Sequence, residues 1–166
     1  MLHTLLKSVD SLLPVSTARA HCDIPCRIYD PATALIAALS VIRLIDIMKE
    51  TEETDDGPSL ARTNTLVRCV QRKEEEAERV KHEIRIIWGD YFKVPHINAH
   101  PIINNLTHQI MMTASTCKQE ANRDDAEALL ELVNQFAEIF WETKGITTDR
   151  RTAPYPPARP VVYPQL

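Results

Sequence analysis

Two thiols and an imidazole lie within six residues in the segment His21-Cys22-Asp23-Ile24-Pro25-Cys26. Soft thiolates beside an imidazole select transition metals. A tetrahedral zinc site needs four side-chain ligands, usually completed by a second Cys/His pair at CxxC or HxxxH spacing. The sequence has no such pair. His96 and His100 are four apart, but Pro95 and Pro101 interrupt the helix that would align them, so they read as ordinary loop histidines. The backbone can supply the missing donors. If His21 were the first residue, its α-amino nitrogen and the deprotonated amide nitrogen of Cys22 would join the two sulfurs in a square-planar N2S2 set. That geometry suits nickel or copper rather than zinc. The His21 imidazole would then be available for a fifth, axial contact. The remaining cysteines, Cys69 and Cys117, stand alone in helical patterns and read as small buried hydrophobes.

The elements that must position this segment are helical. Before it, residues 1–20 carry Leu5, Leu6, Leu12 and Leu13, which suggest a short amphipathic helix. Lys7 and Asp10 interrupt any secretory apolar run. Ala18-Arg19-Ala20 has the small-x-small form that processing peptidases favour, so the local pattern leaves two readings open, a removable pro-segment and an N-terminal arm. After it, Asp30-Pro31 reads as an N-cap followed by proline at the first helical position. A first helix follows to about Glu50. In the second helix, Leu66, Val70, Lys73, Ala77, Val80, Ile84, Ile87 and Tyr91 alternate spacings of four and three, which places them in one seam. The intervening Arg72, Glu74, Glu75, Glu76, Glu78 and Arg79 read as a solvated face. A third helix carries Ile103, Leu106, Ile110 and Cys117. A fourth carries Leu129, Val133, Phe136 and Phe140 and ends near Gly145. Four helices with short connections predict an all-α, antiparallel up-down four-helix bundle with an irregular N-terminal metal-binding segment. Residues 146–166 hold five of the eleven prolines and no periodicity, and are expected to form a flexible tail.

Composition narrows the function. The chain has 166 residues, a usual size for one domain, and a net charge of −4. The lack of a basic excess argues against nucleic acid as a partner. No run of 18 or more apolar residues suggests a membrane span. Three glycines argue against a phosphate-cradling loop.

The stretch HCDIPCRIYDPA, residues 21–32, resembles the metal-binding "hook" of the nickel-containing superoxide dismutases, whose pattern is His-Cys-Asp-x-Pro-Cys-Gly-x-Tyr-Asp-Pro-Ala. Two further stretches agree in order. Residues 88–96, WGDYFKVPH, resemble the family's W-x-D-Y-F-K-x-x-H, and residues 139–144, IFWETK, match its I-F-W-E-T-K. The resemblance implies a precursor cut between Ala20 and His21 by a processing peptidase. It implies nickel as cofactor, with Cys22 and Cys26 as thiolate ligands, His21 giving its amino nitrogen and axial imidazole, and the Cys22 amide completing the square. It implies cycling between Ni(III) and Ni(II) that converts superoxide to dioxygen and hydrogen peroxide. Tyr29 would order the small anion and restrict access at the mouth of the site, and Asp23 would support the hydrogen-bonded network. A homohexamer and a cytoplasmic location are also expected.

The chain departs from the family pattern at three places. Arg27 stands where glycine is usual, and strain follows if that position uses a positive φ. Some members hold the axial imidazole with a glutamate on the first helix and an arginine on the second; the aligned residues here are Ala37 and Glu76. These departures leave two alternatives. One is a non-catalytic nickel- or copper-binding bundle, and the other is a structural bundle whose HCDIPC loop forms a disulfide.

Overall fold

The computed structural model describes residues 27–54, 57 and 59–166. The segment 1–26, and with it the proposed pro-segment, lies outside the described residues.

Asp30 sets the first long helix, α1 (Ala32–Glu53), in place: its Oδ1 accepts from the Ala32 backbone N at 2.8 Å. This is the N-terminal capping expected of Asp30-Pro31. The second, α2 (Leu60–Ile86), starts at Ser59, whose Oγ accepts from the Arg62 N at 3.1 Å. It continues into a π turn, Ile87–Tyr91, closed by the Phe92 N donating to the Ile87 carbonyl. A short helix, α3 (Val94–Ala99), leads to α4 (Ile103–Gln119) and α5 (Arg123–Glu142). His96 therefore lies in a helix and not in a loop. Pro95 falls in the first turn of α3, where its missing N–H has no intrahelical partner to lose.

The four long helices close a ring of contacts, α1 on α2, α2 on α4, α4 on α5 and α5 on α1. This is the expected four-helix bundle. Ile42, Ile45, Val80, Ile84, Ile110, Leu129, Phe136 and Phe140 are fully buried between the helices. The predicted seam of α2 is buried from Lys73 to Ile87, while Val70 is exposed. Lys73, a charged residue in that seam, has a specific partner set. Its Nζ donates to the carbonyls of Cys117, Lys118 and Glu120, the unpaired end of α4. Burial pushes the Lys73 pKa down from its usual value. Glu76 departs from the solvated face expected for it. It is only 4% exposed and is paired with Arg72 (2.5 Å) and Arg79 (3.7 Å) of its own helix.

The end of α5 follows the glycine rule. Gly145 has φ +70°, its N donates to the Glu142 carbonyl and the Ile146 N donates to the Trp141 carbonyl.

Beyond it the expected flexible tail is replaced by an antiparallel hairpin. Strands β1 (Thr148–Thr152) and β2 (Pro160–Pro164) pair with Arg150 opposite Val162. Two-stranded hairpins are marginal in water unless they pack on something, and this one packs on α5. Ala153, Val161 and Val162 are buried. Asn134 of α5 accepts from the Val162 N and donates to the Pro160 carbonyl, both at 3.0 Å. Arg150 forks onto Glu131 and Glu138, both at 2.6 Å, and Arg159 reaches Glu127 at 2.6 Å.

Candidate metal centre and its approach

Of the residues expected to form the site, His21, Cys22, Asp23 and Cys26 lie outside the described residues. Among the described residues, no group of three or more His, Cys, Asp or Glu side chains is placed to hold a metal ion. Cys69 and Cys117 are free and buried, as expected. Burial, assisted by the charge of Asp125, pushes the Cys117 thiol up to about 11. The chemistry of the donor set fits nickel at residues 21–26, where two thiols and an imidazole lie together in sequence.

The described chain begins at Arg27, with φ +59°. The position that carries glycine in the resembling pattern thus does use the left-handed region, and arginine occupies it at a cost of about 1 kcal/mol. Arg27 is exposed.

Tyr29 is half-buried and packed against the core. Its ring faces Tyr91, with centroids 5.8 Å apart and planes tilted 54°. Tyr91 belongs to the π turn that ends α2. A π turn inserts a residue into the helical ladder and is frequent at functional sites. Here Phe92 is buried and Tyr91 is held at the margin of the core. Four neighbours fix the Tyr91 ring. His96 of α3 stacks on it at 5.0 Å with an interplanar angle of 11°, and Phe140 of α5 lies at 4.8 Å. The Tyr91 hydroxyl shares a 2.7 Å hydrogen bond with Thr143 Oγ1. Lys144 Nζ sits 4.9 Å from the ring centroid. The three motif stretches therefore converge: Tyr29 belongs to the first, Tyr91 and His96 to the second, and Lys144 ends the third. His96 orients Tyr91 rather than forming a plain loop position. Its Nδ1 accepts from the Lys93 backbone N at 3.3 Å.

Sequence reasoning assigned Tyr91 to the core seam and missed its place beside Tyr29. The available signal was its position inside the second motif stretch. Ala37 is fully buried on α1, and Glu76 is held by Arg72 and Arg79. The glutamate and arginine that some members place at these positions are absent from this chain.

A pocket of about 250 Å3 lies between the start of α1 and the hairpin. Asp30 and Pro31 are among its lining residues, so it adjoins the start of α1. No helix of the described residues is long and apolar enough to cross a membrane.

Comparison with known proteins agrees with the motifs. The sequence profile of the nickel-containing superoxide dismutase family matches residues 16–144. The chain is 35% identical over 131 residues to the superoxide dismutase [Ni] of Streptomyces coelicolor, covering 79% of this chain and 93% of that protein. It is 33% identical over 131 residues to that of Streptomyces seoulensis, with the same shares covered. A solved native structure of nickel superoxide dismutase superposes with a TM-score of 0.66 at 34% identity, covering 75% of this chain and 99% of that one. These likenesses favour the enzyme over a non-catalytic metal-binding bundle. By motif, profile and fold, the chain belongs to the nickel-containing superoxide dismutases.

Proposed function

We propose that the nickel of this superoxide dismutase is held by the thiolates of Cys22 and Cys26, the amino and imidazole nitrogens of His21 and the amide nitrogen of Cys22. The observation that carries this reading is the contiguous donor set at residues 21–26, followed directly by a tyrosine anchored on the bundle. The overall reaction consumes two superoxide anions and two protons and gives one dioxygen and one hydrogen peroxide. When bound, nickel supplies the one-electron couple for both halves of that exchange. Thiolate and amidate donors stabilise its higher oxidation state.

The protein residues select and place the anion. Tyr29 and Tyr91 wall the approach with two phenols. The Tyr29 hydroxyl orders the small anion and narrows the entry, while Tyr91 fixes the Tyr29 ring. Lys144 supplies a positive charge beside them, which matters because the chain as a whole is negative and repels superoxide. Asp23 supports the hydrogen bonds around the site.

Maturation is part of this reading. Before cleavage the His21 nitrogen is a peptide amide carrying a carbonyl. After a peptidase cuts between Ala20 and His21 it is a primary amine with a reference pKa of about 8, and nickel can displace its proton near neutral pH. The mature chain assembles as a homohexamer in the cytoplasm.

The test compares the full-length chain with one starting at His21, both loaded with nickel. The shorter form should develop thiolate-to-nickel absorption and dismutase activity, and the full-length form should develop neither. Equal activity from a full-length chain shown by mass to be uncut would overturn the amino-terminal ligand. Replacing Cys22 or Cys26 by serine should abolish nickel binding while leaving the bundle folded.

A further inference from the structure

The pocket between α1 and the hairpin is an apolar recess with solvent-facing walls. Leu35, Ile36 and Leu39 line one side, and Trp141, Tyr155 and Val161 the other. Ile36 is 54% exposed and Tyr155 is 44% exposed, so large apolar groups are left uncovered. On that second side Tyr155 and Val161 lie beyond residue 144, where the family match ends, and Trp141 lies within it. An apolar cavity of about 150 Å3 takes a benzene-sized group, so one of about 250 Å3 accepts the side chains of a leucine pair.

The same chain carries a matching surface. In residues 1–20, Leu2, Leu5, Leu6, Val9, Leu12 and Leu13 recur at the spacing that would give a helix one apolar stripe. A segment this short is marginal as an isolated helix and needs a surface to pack on. The chain preceding α1 starts at the pocket rim, at Asp30 and Pro31. Asp30 follows Leu13 by seventeen positions. That connection extends to about 55 Å at most, enough for the stripe to fold back onto the recess. Tethering raises its effective concentration there to the millimolar range, on the order of that for short flexible linkers.

We propose that residues 1–20 dock their leucine stripe in this pocket before they are removed, with the hairpin and the first turns of α1 as its two walls. The inference rests on the reading that cleavage falls between Ala20 and His21. Docking fixes residues 21–29 at both ends, as a closed loop with the His21 nitrogen inside the chain. Cleavage and release of the segment then free the amino terminus and uncover the recess together.

The probe is a synthetic peptide of residues 1–20, added to the chain starting at His21 in a Trp88→Phe background, where Trp141 is the reporting indole. Trp141 emission should lie to the blue in the full-length chain, to the red in the shortened chain, and return to the blue on saturation with the peptide. Ile36→Asp in the protein should weaken the peptide about tenfold, as should Leu5→Asp with Leu12→Asp in the peptide. The peptide variant keeps the test valid if the protein variant does not fold. Identical emission from both chain lengths with no saturable peptide effect would overturn the proposal. So would emission that follows protein concentration and ignores the peptide, since the recess would then be a contact between copies of this chain. The mass of the protein made in its own cells tests cleavage separately. An uncut chain with blue-shifted Trp141 would overturn the cleavage site and support the docking.

Discussion

The ring of Tyr29 rests 5.8 Å from that of Tyr91, so the chain just beyond residues 21–26 is anchored on the far end of α2. The anchor is rigid because Tyr91 is itself stacked on His96 and bonded to Thr143. A residue meant to gate a small anion needs such support, since a loop tyrosine without it samples many rotamers.

Tyr29→Phe should keep the nickel bound and keep the ring contact, while removing the hydroxyl proposed to order the anion. Inhibition by small anions and by peroxide should change more than metal content does. Metal analysis beside inhibition curves checks this, and a loss of nickel equal to that of Cys22→Ser would make Tyr29 a structural part of the hook.

Lys144→Met removes the cation above the Tyr91 ring and leaves the metal ligands alone. At low salt kcat/KM should fall by about two- to fivefold, and its dependence on ionic strength should flatten. Stopped-flow superoxide decay across a salt series measures both effects.

Arg27→Gly relieves a left-handed backbone at φ +59°. After allowance for the greater freedom of glycine in the unfolded chain, the folded state should gain about 0.5–1 kcal/mol. Urea unfolding of the two proteins gives the difference directly.

Asn134→Ala leaves the Val162 N–H and the Pro160 carbonyl without their partner. The loss should be about 2 kcal/mol. Amide exchange should accelerate across residues 148–164 while the amides of α2 and α4 stay protected.

Docking of the hairpin also depends on pH. The Arg150 guanidinium, hydrogen-bonded to Glu131, holds the Glu131 carboxyl below its ordinary value against the opposing effect of burial. A carboxyl depressed in the folded state contributes fully above its unfolded value, about 4.5, and loses that contribution as pH falls through the folded value. As pH falls through that depressed value the hairpin should loosen before the bundle does. Pepsin at pH 3 should cut first within residues 146–166, and Glu131→Gln should remove the pH step.

The bundle was legible because alternating steps of three and four fix which face of a helix is buried. The three motif stretches were legible because they are contiguous. Lys73 sat in an apolar seam with no local reason, since its partners are carbonyls more than forty residues away. Glu76 was read by its charge, although it lies three residues after Lys73 and four before Val80, at the edge of the buried seam. The hairpin was missed because its strands are five residues each and rich in arginine and proline. Their order comes from Asn134, Arg150 and the apolar surface of α5, which is tertiary information. Tyr91 was read as core because a π turn shifts the helical phase without leaving a mark in spacing.

The hairpin brings the last strand beside the start of α1. Pro164 lines the same recess as Asp30, and Leu166 is fully exposed two residues later. A six-histidine tag appended after Leu166 could extend about 20 Å from there, within reach of Asp30, which follows Cys26 by four positions in sequence. Its imidazoles would compete with the native donors for the same metal. Nickel content measured on protein tagged in this way would report the tag as much as the enzyme, and a removable tag on another surface is the sounder handle for purification.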